Sequence, residues 1–128
     1  IKAVRTSLDH HGISVPIHIF GNLDPLTSIM YFLAGAEIFD GLSWLRFGFY
    51  EGRAHYLQNI DAIRRRFHEK DYLNQRQTLV ENIIYLRTLQ AEMKAFLKEF
   101  PEKKEGAFAS CFKHGSDQLK DVYQVINS

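Results

Sequence analysis

Two short apolar segments, each followed by a residue of distinct chemistry, constrain the fold of this chain more than any other feature. Residues 13–20 are rich in β-branched side chains and are followed by Gly21, and residues 37–39 are followed by Asp40. Between them, residues 26–35 carry apolar side chains at helical spacing. Because strands joined through a helix run parallel, the sequence predicts a β-α-β unit whose strand ends share one rim.

The rest of the chain reads as mainly helical. We predict an opening helix that ends at residue 11, helices over residues 54–69 and 74–100, and a final helix capped by Ser116. Residues 41–52 are rich in glycine and aromatic residues, and we expect a loop with a packed interior there. Two parallel strands are unstable with open edges. The chain is therefore predicted to be an incomplete α/β structure, either the end of a barrel or doubly wound sheet or a chain that pairs with another.

Composition limits the classes of function. The chain has 128 residues and a formal charge of +1, which neither requires nor excludes a nucleic-acid partner. Cys111 is the single cysteine, so an intramolecular disulfide and a multi-cysteine metal site are excluded, and a lone thiol fits a reducing, cytoplasmic setting. The longest apolar run, around residues 29–36, is too short to span a bilayer, and we expect no membrane partner.

The residues at the strand ends resemble a known enzyme family. The run Pro-Ile-His-Ile-Phe-Gly at 16–21, then Pro25, then Leu-Ala-Gly-Ala-Glu-Ile-Phe-Asp at 33–40 are similar to the last two strands of the tRNA-guanine transglycosylase barrel, above all in its archaeosine-type branch. The run Gln-Thr-Leu-Val-Glu-Asn at 77–82 resembles the start of the family's post-barrel helix, whose pattern begins L-x-x-H-N. The likeness covers residues 13–52 and, more loosely, 74–100.

The resemblance implies both a fold and a chemistry. Residues 1–52 would be the last β/α units of a TIM-type (β/α)8 barrel, and residues 53–128 a helical C-terminal appendage. In this family the matching Asp attacks the anomeric carbon of a guanosine and forms a covalent sugar–enzyme intermediate, after which a 7-deazaguanine base replaces guanine. The resemblance therefore makes Asp40 the expected nucleophile, at the mouth of the barrel where such folds place their chemistry.

Four further residues are expected to bind the substrate. Gly21 matches the family glycine whose backbone lines the base pocket, where a missing side chain lets a flat ring approach. Arg46 falls where the bacterial branch carries an Arg that helps to hold the substrate. Asn22 and Asp24 lie in the same rim loop as Gly21 and are candidate pocket residues.

The chain also departs from the family pattern. The family binds zinc through three closely spaced cysteines and the histidine of the H-N pair, but here the cysteines are absent and Glu81 precedes Asn82. We therefore expect no zinc and no other cofactor. Zinc-less relatives include a branch that inserts 7-deazaguanines into DNA, so tRNA and DNA both remain expected substrates.

The family's second catalytic Asp and most of its base-recognition loop come from earlier strands that this chain lacks. We therefore expect the chain to be inactive alone. The sequence begins without Met inside a helical pattern, so a missing N-terminal barrel part is expected upstream, although a removed tag explains the absent Met equally well. A homo-oligomer is the other expected way to complete the structure.

A non-catalytic alternative stays open, in which the chain is a binding or scaffold module that docks a partner subunit or nucleic acid. Asp40 would then cap the next turn or pair with a nearby Arg, and His18 is expected to be a hydrogen-bonded core or rim histidine. The triplet at 64–66, Arg-Arg-Arg, either follows a nucleic-acid backbone or forms a solvated face.

Two groups of apolar residues also keep two interpretations each. Aromatic side chains cluster before residue 52 and either stack on bases or pack beneath the loop: Trp44, Phe47, Phe49 and Tyr50. One stripe along the long predicted helix is either core or a subunit interface: Leu79, Ile83, Leu86, Met93, Leu97 and Phe100.

Overall fold

The computed structural model describes residues 1–22, 24–66, 71–99, 111–112 and 116–127. The helices are α1 (Lys2–His10), α2 (Pro25–Leu33), α3 (Leu57–Ile63), α4 (Asp71–Glu99) and α5 (Ser116–Asn127). The strands are β1 (His18–Ile19), β2 (Ile38–Phe39), β3 (Phe47–Tyr50) and β4 (Arg53–Tyr56), and a 3-10 turn covers Ser43–Leu45. The described part is therefore a mixed α/β structure dominated by helices. No helix within it combines the length and apolar character that crossing a membrane requires.

The predicted β-α-β unit is confirmed, although its first strand is shorter than predicted. β1 and β2 pair in parallel, with His18 opposite Ile38 and Ile19 opposite Phe39. Only two residues of the segment 13–20 are in a strand, because β2 offers only two residues to pair with. α2 connects the strands; Pro25 occupies its first turn, where the missing N–H costs nothing, and Gly35 follows its end with φ of +102°.

Two predictions are wrong where they meet. Residues 47–50 of the predicted loop form strand β3, and residues 53–56, where a helix was predicted to begin at 54, form strand β4. β3 and β4 form an antiparallel hairpin that crosses position 52, where the sequence-based division falls. Glu51 and Gly52 make its two-residue turn, both with positive φ (47° and 83°), as hairpin turns of this length prefer. Alternating aromatic residues favoured strands over helix here. The helix predicted over 54–69 is confirmed only as α3, and residues 67–70 lie outside the described part.

The hydrophobic core lies between α2, α4 and α5. Buried side chains come from α2 and α4, from α5, and from the short stretch at 111–112: Ile29, Phe32, Leu33, Leu89, Phe96, Cys111, Phe112 and Leu119. Phe96 stands at its centre, with its ring 6.1 Å from that of Phe32 and 5.6 Å from that of Phe112. Phe39 of β2 packs against this core, which fixes the face of the sheet that the helices cover.

The buried face of α4 differs from the predicted apolar stripe. Buried positions are partly polar: Asn74, Thr78, Asn82, Leu89 and Phe96. Ile83 and Leu97 of the stripe are 41 % and 50 % exposed, so the core interpretation is wrong for them and the interface interpretation remains. Of the three buried polar residues, Asn82 bonds to the hairpin and Asn74 donates to the C=O of Arg66. Phe100 of the stripe and the predicted Ser116 side-chain cap lie outside the described part.

Candidate functional site

The parallel pairing of β1 and β2 brings the predicted rim residues together. The N–H of Asp40 donates to the C=O of Ile19 at 3.2 Å, and the C=O of Asp40 accepts from the N–H of Asn22 at 3.3 Å. Gly21 turns the chain between them with φ of +64°, a conformation that favours glycine. The ends of both strands thus meet at one edge, as the sequence predicts.

The Asp40 carboxylate is held by a histidine of the neighbouring strand. Its Oδ2 lies 3.1 Å from Nε2 of His18, and 52 % of its side chain is exposed. The His18 ring in turn lies against the Phe20 ring, with centroids 4.0 Å apart. His18 is therefore the hydrogen-bonded rim histidine that the sequence predicts. This contact orients one carboxylate oxygen, while Oδ1 has no hydrogen bond to any described residue.

The carboxylate projects from the open face of the β1–β2 sheet. Residues on this face alternate with those that point to the core: His18, Phe20, Ile38 and Asp40. All four are exposed, Phe20 to 75 % and Ile38 to 43 %. Because the opposite face is covered by helices, closing the sheet into a barrel would turn this open face to the interior.

A cavity of about 530 Å³ lies beside the strand ends. Three of the predicted site residues line it, namely Gly21, Asn22 and Asp24. Aromatic rings form much of the rest of its wall: Phe20, Tyr31 and Phe47. Asp40 and Arg46 do not line this cavity, and Arg46 is exposed. The structure therefore brings three of the five predicted residues into one cavity. Asp40 is linked to it through the backbone bond to Asn22 and through the contact of His18 with Phe20.

The polar side chains of this cavity already have partners. Asp24 Oδ1 accepts from the N–H of Ala54 at 2.9 Å, and its Oδ2 accepts from the Thr27 hydroxyl at 3.3 Å. A backbone bond from the N–H of Leu26 to the C=O of Gly52, at 3.0 Å, reinforces this link between α2 and the hairpin. The Asn22 amide donates to the Ser28 hydroxyl. Both predicted pocket residues therefore shape the rim, whatever they bind.

Glu81, which stands where the family resemblance would place a zinc-binding histidine, is engaged by two cations. Arg64 and Arg66 both form ion pairs with its carboxylate, and Arg64 also donates to the C=O of Phe49 at 2.8 Å. Burial lowers the pKa of the Arg64 guanidinium below its ordinary value, and the positive charge of Arg66 adds to this. A carboxylate so occupied does not fit a zinc site. Within the described ranges, no three His, Cys, Asp or Glu residues could hold a metal ion.

The arginine triplet does not offer three free cations to a phosphate backbone. Arg64 and Arg66 are used by Glu81, and only Arg65 of the three is exposed, at a positive φ of 56°. The interpretation as a nucleic-acid-following triplet is therefore wrong for Arg64 and Arg66.

Asn82 organises the hairpin, a role that the sequence analysis missed. Its side chain is fully buried; Oδ1 accepts from the N–H of Phe49 at 2.9 Å. Nδ2 donates to the C=O of Trp44 at 2.7 Å and of Phe47 at 2.6 Å. The link between His18 and Asp40 was also missed, yet the predicted parallel register carries its signal, since both residues lie on one face of adjoining strands.

Comparisons with known proteins provide no relative: no family model, no curated protein and no solved structure matches this chain. Function has to be inferred from the chemistry of the site. A half-exposed carboxylate, held by one hydrogen bond at the carboxyl end of a parallel strand, can act as a nucleophile or accept a proton.

Proposed function

We propose that this chain is the C-terminal part of a transglycosylase-like barrel that exchanges guanine for a 7-deazaguanine in tRNA or DNA. The single observation that carries the proposal is the placement of Asp40. Its carboxylate follows a parallel strand, on the face opposite the helices, which is where a barrel enzyme presents a catalytic group. The family resemblance of residues 13–52 supplies the reaction, and the geometry supplies a suitable nucleophile.

The chemistry is a double displacement. An Asp40 oxygen attacks C1′ of the guanosine, and the bond from C1′ to guanine N9 breaks, with its electron pair and a proton going to the departing base. The incoming 7-deazaguanine then loses a proton and attacks C1′, which breaks the ester and restores the carboxylate. His18, through its contact with Oδ2, orients the carboxylate so that the free oxygen faces the sugar.

The remaining site residues take supporting roles in this proposal. Gly21 and Asn22 line the cavity next to Asp40, which has room for a nucleotide neighbouring the reacting one. Asp24 holds the rim in shape through Ala54. Arg46 is exposed and is proposed to contact a backbone phosphate. The family resemblance implies that the acid for the leaving base comes from other strands, and we propose that an upstream barrel part or a second copy supplies it.

These assignments imply a setting as well as a reaction. The proposed substrates, tRNA and DNA, are found inside cells, and the single thiol of the chain, Cys111, is compatible with a reducing compartment. We therefore propose a cytoplasmic location and no cofactor, since neither displacement transfers electrons to or from an acceptor.

One observation favours a second candidate, a non-catalytic scaffold. Asp40 is paired with His18 and does not line the neighbouring cavity, which is what we expect of a residue with a purely structural role. In this alternative the same surfaces bind a partner subunit or nucleic acid without breaking a bond.

Trapping of the covalent intermediate separates the two candidates. The full-length protein is incubated with guanine-containing DNA and, separately, RNA, and adducts are resolved on a denaturing gel. An adduct that disappears in Asp40→Asn but persists in Asp121→Asn, an exposed carboxylate on α5, supports the enzyme. An adduct that survives Asp40→Asn removes Asp40 from its role, and no adduct with either nucleic acid favours the scaffold.

A further inference from the structure

β2 has one paired edge and one open edge. The N–H of Ile38 donates to the C=O of Ile17, and the N–H of Asp40 donates to the C=O of Ile19, both at 3.2 Å. In a parallel ladder, alternate residues face opposite neighbours, so the N–H and C=O of Phe39 point away from β1. No hydrogen bond from the described residues reaches either group. Among the described residues, this edge therefore has one donor and one acceptor without a partner.

A groove of about 640 Å³ runs along the same edge. It is lined by Glu37, Ile38 and Phe39 but by no residue of β1. Because consecutive strand residues point to opposite faces, a cavity that touches both Ile38 and Phe39 must follow the open edge. The groove is mostly apolar, and α4 forms its far wall with Leu86, Met93 and Leu97.

The rim of this groove has a surplus of positive charge. Arg87 and Lys94 of α4 line it, two helical turns or about 10 Å apart, and form no ion pair with any described residue. Glu37 on the opposite side is already used, since its Oε2 accepts from the guanidinium of Arg5 and from the N–H of Ile17, both at 3.1 Å. The charge that would complement the groove is therefore negative.

We propose that this edge and groove receive a further β-strand from outside these 128 residues, with alternating apolar side chains and carboxylates that face Arg87 and Lys94. An extended occupant is preferred over a helix because only an extended backbone can pair with both polar groups of Phe39. A second copy of this chain is disfavoured, since it would bring another surplus of cations to the contact. The inference is independent of any role of Asp40 in catalysis.

A model strand tests the proposal directly. The probe is the capped peptide Glu-Val-Thr-Val-Glu-Val-Thr-Val, titrated into the isotopically labelled 128-residue chain and followed by NMR. We expect slowed hydrogen exchange at the Phe39 amide together with shifts at Leu86 and Met93. The same peptide N-methylated on its pairing edge keeps its side chains but cannot pair, and we expect it to bind at least about tenfold more weakly.

Charge reversal supplies the matched control. In the double variant Arg87→Glu with Lys94→Glu, binding should shift to a peptide with Lys in place of Glu, whereas Arg76→Glu, an exposed cation of α4 outside the groove, should leave the preference unchanged. Equal binding of the N-methylated peptide, or shifts confined to surfaces away from Phe39, would overturn the proposal. An absence of binding up to millimolar peptide would also overturn it. Self-association that protects the Phe39 amide would do the same, because the occupant would then be a second copy of this chain.

Discussion

The β3–β4 hairpin and the β1–β2 sheet each contain two strands, but they differ in how many backbone groups are hydrogen-bonded and in how much of each face is covered. The hairpin has strands of four residues and lies on α4, where the Asn82 side chain accepts from the N–H of Phe49 and donates to the C=O of Phe47. A third bond of Asn82 goes to Trp44 in the preceding 3-10 turn. The β1–β2 sheet has strands of two residues, an exposed face and an unpaired edge at Phe39. Within the described residues, the hairpin is thus the more complete region, and the β1–β2 rim is the incomplete one, since one strand edge and one face have no partner there.

This difference indicates where function belongs. In the hairpin region, the buried Asn82 side chain bonds to the local backbone, and Arg64 and Arg66 are paired with Glu81. The hairpin contributes Phe47, Arg53 and Ala54 to the wall of the cavity. The incomplete region presents a carboxylate, a cavity and an open strand edge within a few residues of each other. Substitutions in the hairpin region should therefore affect stability, and substitutions at the β1–β2 rim should affect binding or chemistry.

The largest effect on stability is expected at Asn82. Asn82→Ala removes the partners of the Phe49 N–H and of the Trp44 and Phe47 carbonyls in a buried setting. The free energy of unfolding should fall by roughly 3 kcal/mol, since each buried unsatisfied group is costly. Urea denaturation followed by circular dichroism measures this change. The control Thr88→Ala, on the exposed face of the same helix, should change stability by less than about 0.5 kcal/mol.

The next largest effect contrasts two glycines, one in each region. A Cβ at Gly48 would lie 2.5 Å from a side-chain carbon of Ile60, so Gly48→Ala should destabilise the protein by about 2 kcal/mol. A Cβ at Gly21 would meet no atom within 4 Å, and only its φ of +64° opposes the change, at a cost of about 1 kcal/mol. Thermal unfolding of both variants provides the comparison. A larger loss at Gly21 would contradict the assignment of the hairpin as the more tightly packed region.

A pH-dependent effect is expected at Tyr85, where α4 meets the hairpin. Burial first, and then the negative charges of Glu92 and Asp24, raise the pKa of Tyr85 to about 12. The unfolded chain releases this proton near pH 10, so stability should fall as the pH rises from about 10 to 12, by at most about 1.4 kcal/mol per pH unit. Tyr85→Phe should remove this component. Identical pH profiles of unfolding for the two proteins would contradict it.

The smallest effect on stability is expected at Asp40. Asp40→Asn alters a half-exposed group with one side-chain hydrogen bond, and the free energy of unfolding should change by less than about 0.5 kcal/mol. Asp24→Ala is the matched comparison, since its carboxylate is 19 % exposed and accepts the N–H of Ala54, and it should cost about 1–2 kcal/mol. Equal losses in urea titrations would show that Asp40 is a structural residue.

Local patterns were sufficient to predict part of this structure. Apolar periodicity over residues 26–35 predicted α2, and the β-α-β order predicted the parallel pairing that brings Asn22 to Asp40. The hairpin was missed because the turn Glu51–Gly52 and the alternating aromatics were interpreted as loop packing.

The burial of α4 depends on contacts distant in sequence, which periodicity does not contain. Asn82 is buried because the hairpin lies on it, and Glu81 is occupied because Arg64 and Arg66 reach it from 15 residues or more away. In the candidate site, the predicted meeting of the strand ends is present. Whether a side chain reaches the cavity depends on the local course of the backbone, and Asp40 does not reach it. Residue types alone do not specify that course.

The bond between the N–H of Leu26 and the C=O of Gly52 has a practical consequence for engineering the protein. Hairpin tips are usual places for affinity tags and fluorophores, but this one is fastened to the first turn of α2, and Gly52 is buried. An insertion there would strain the Leu26–Gly52 bond and displace the rim of the cavity. Gly12 is exposed and has open space around it, so it offers a far more permissive attachment point.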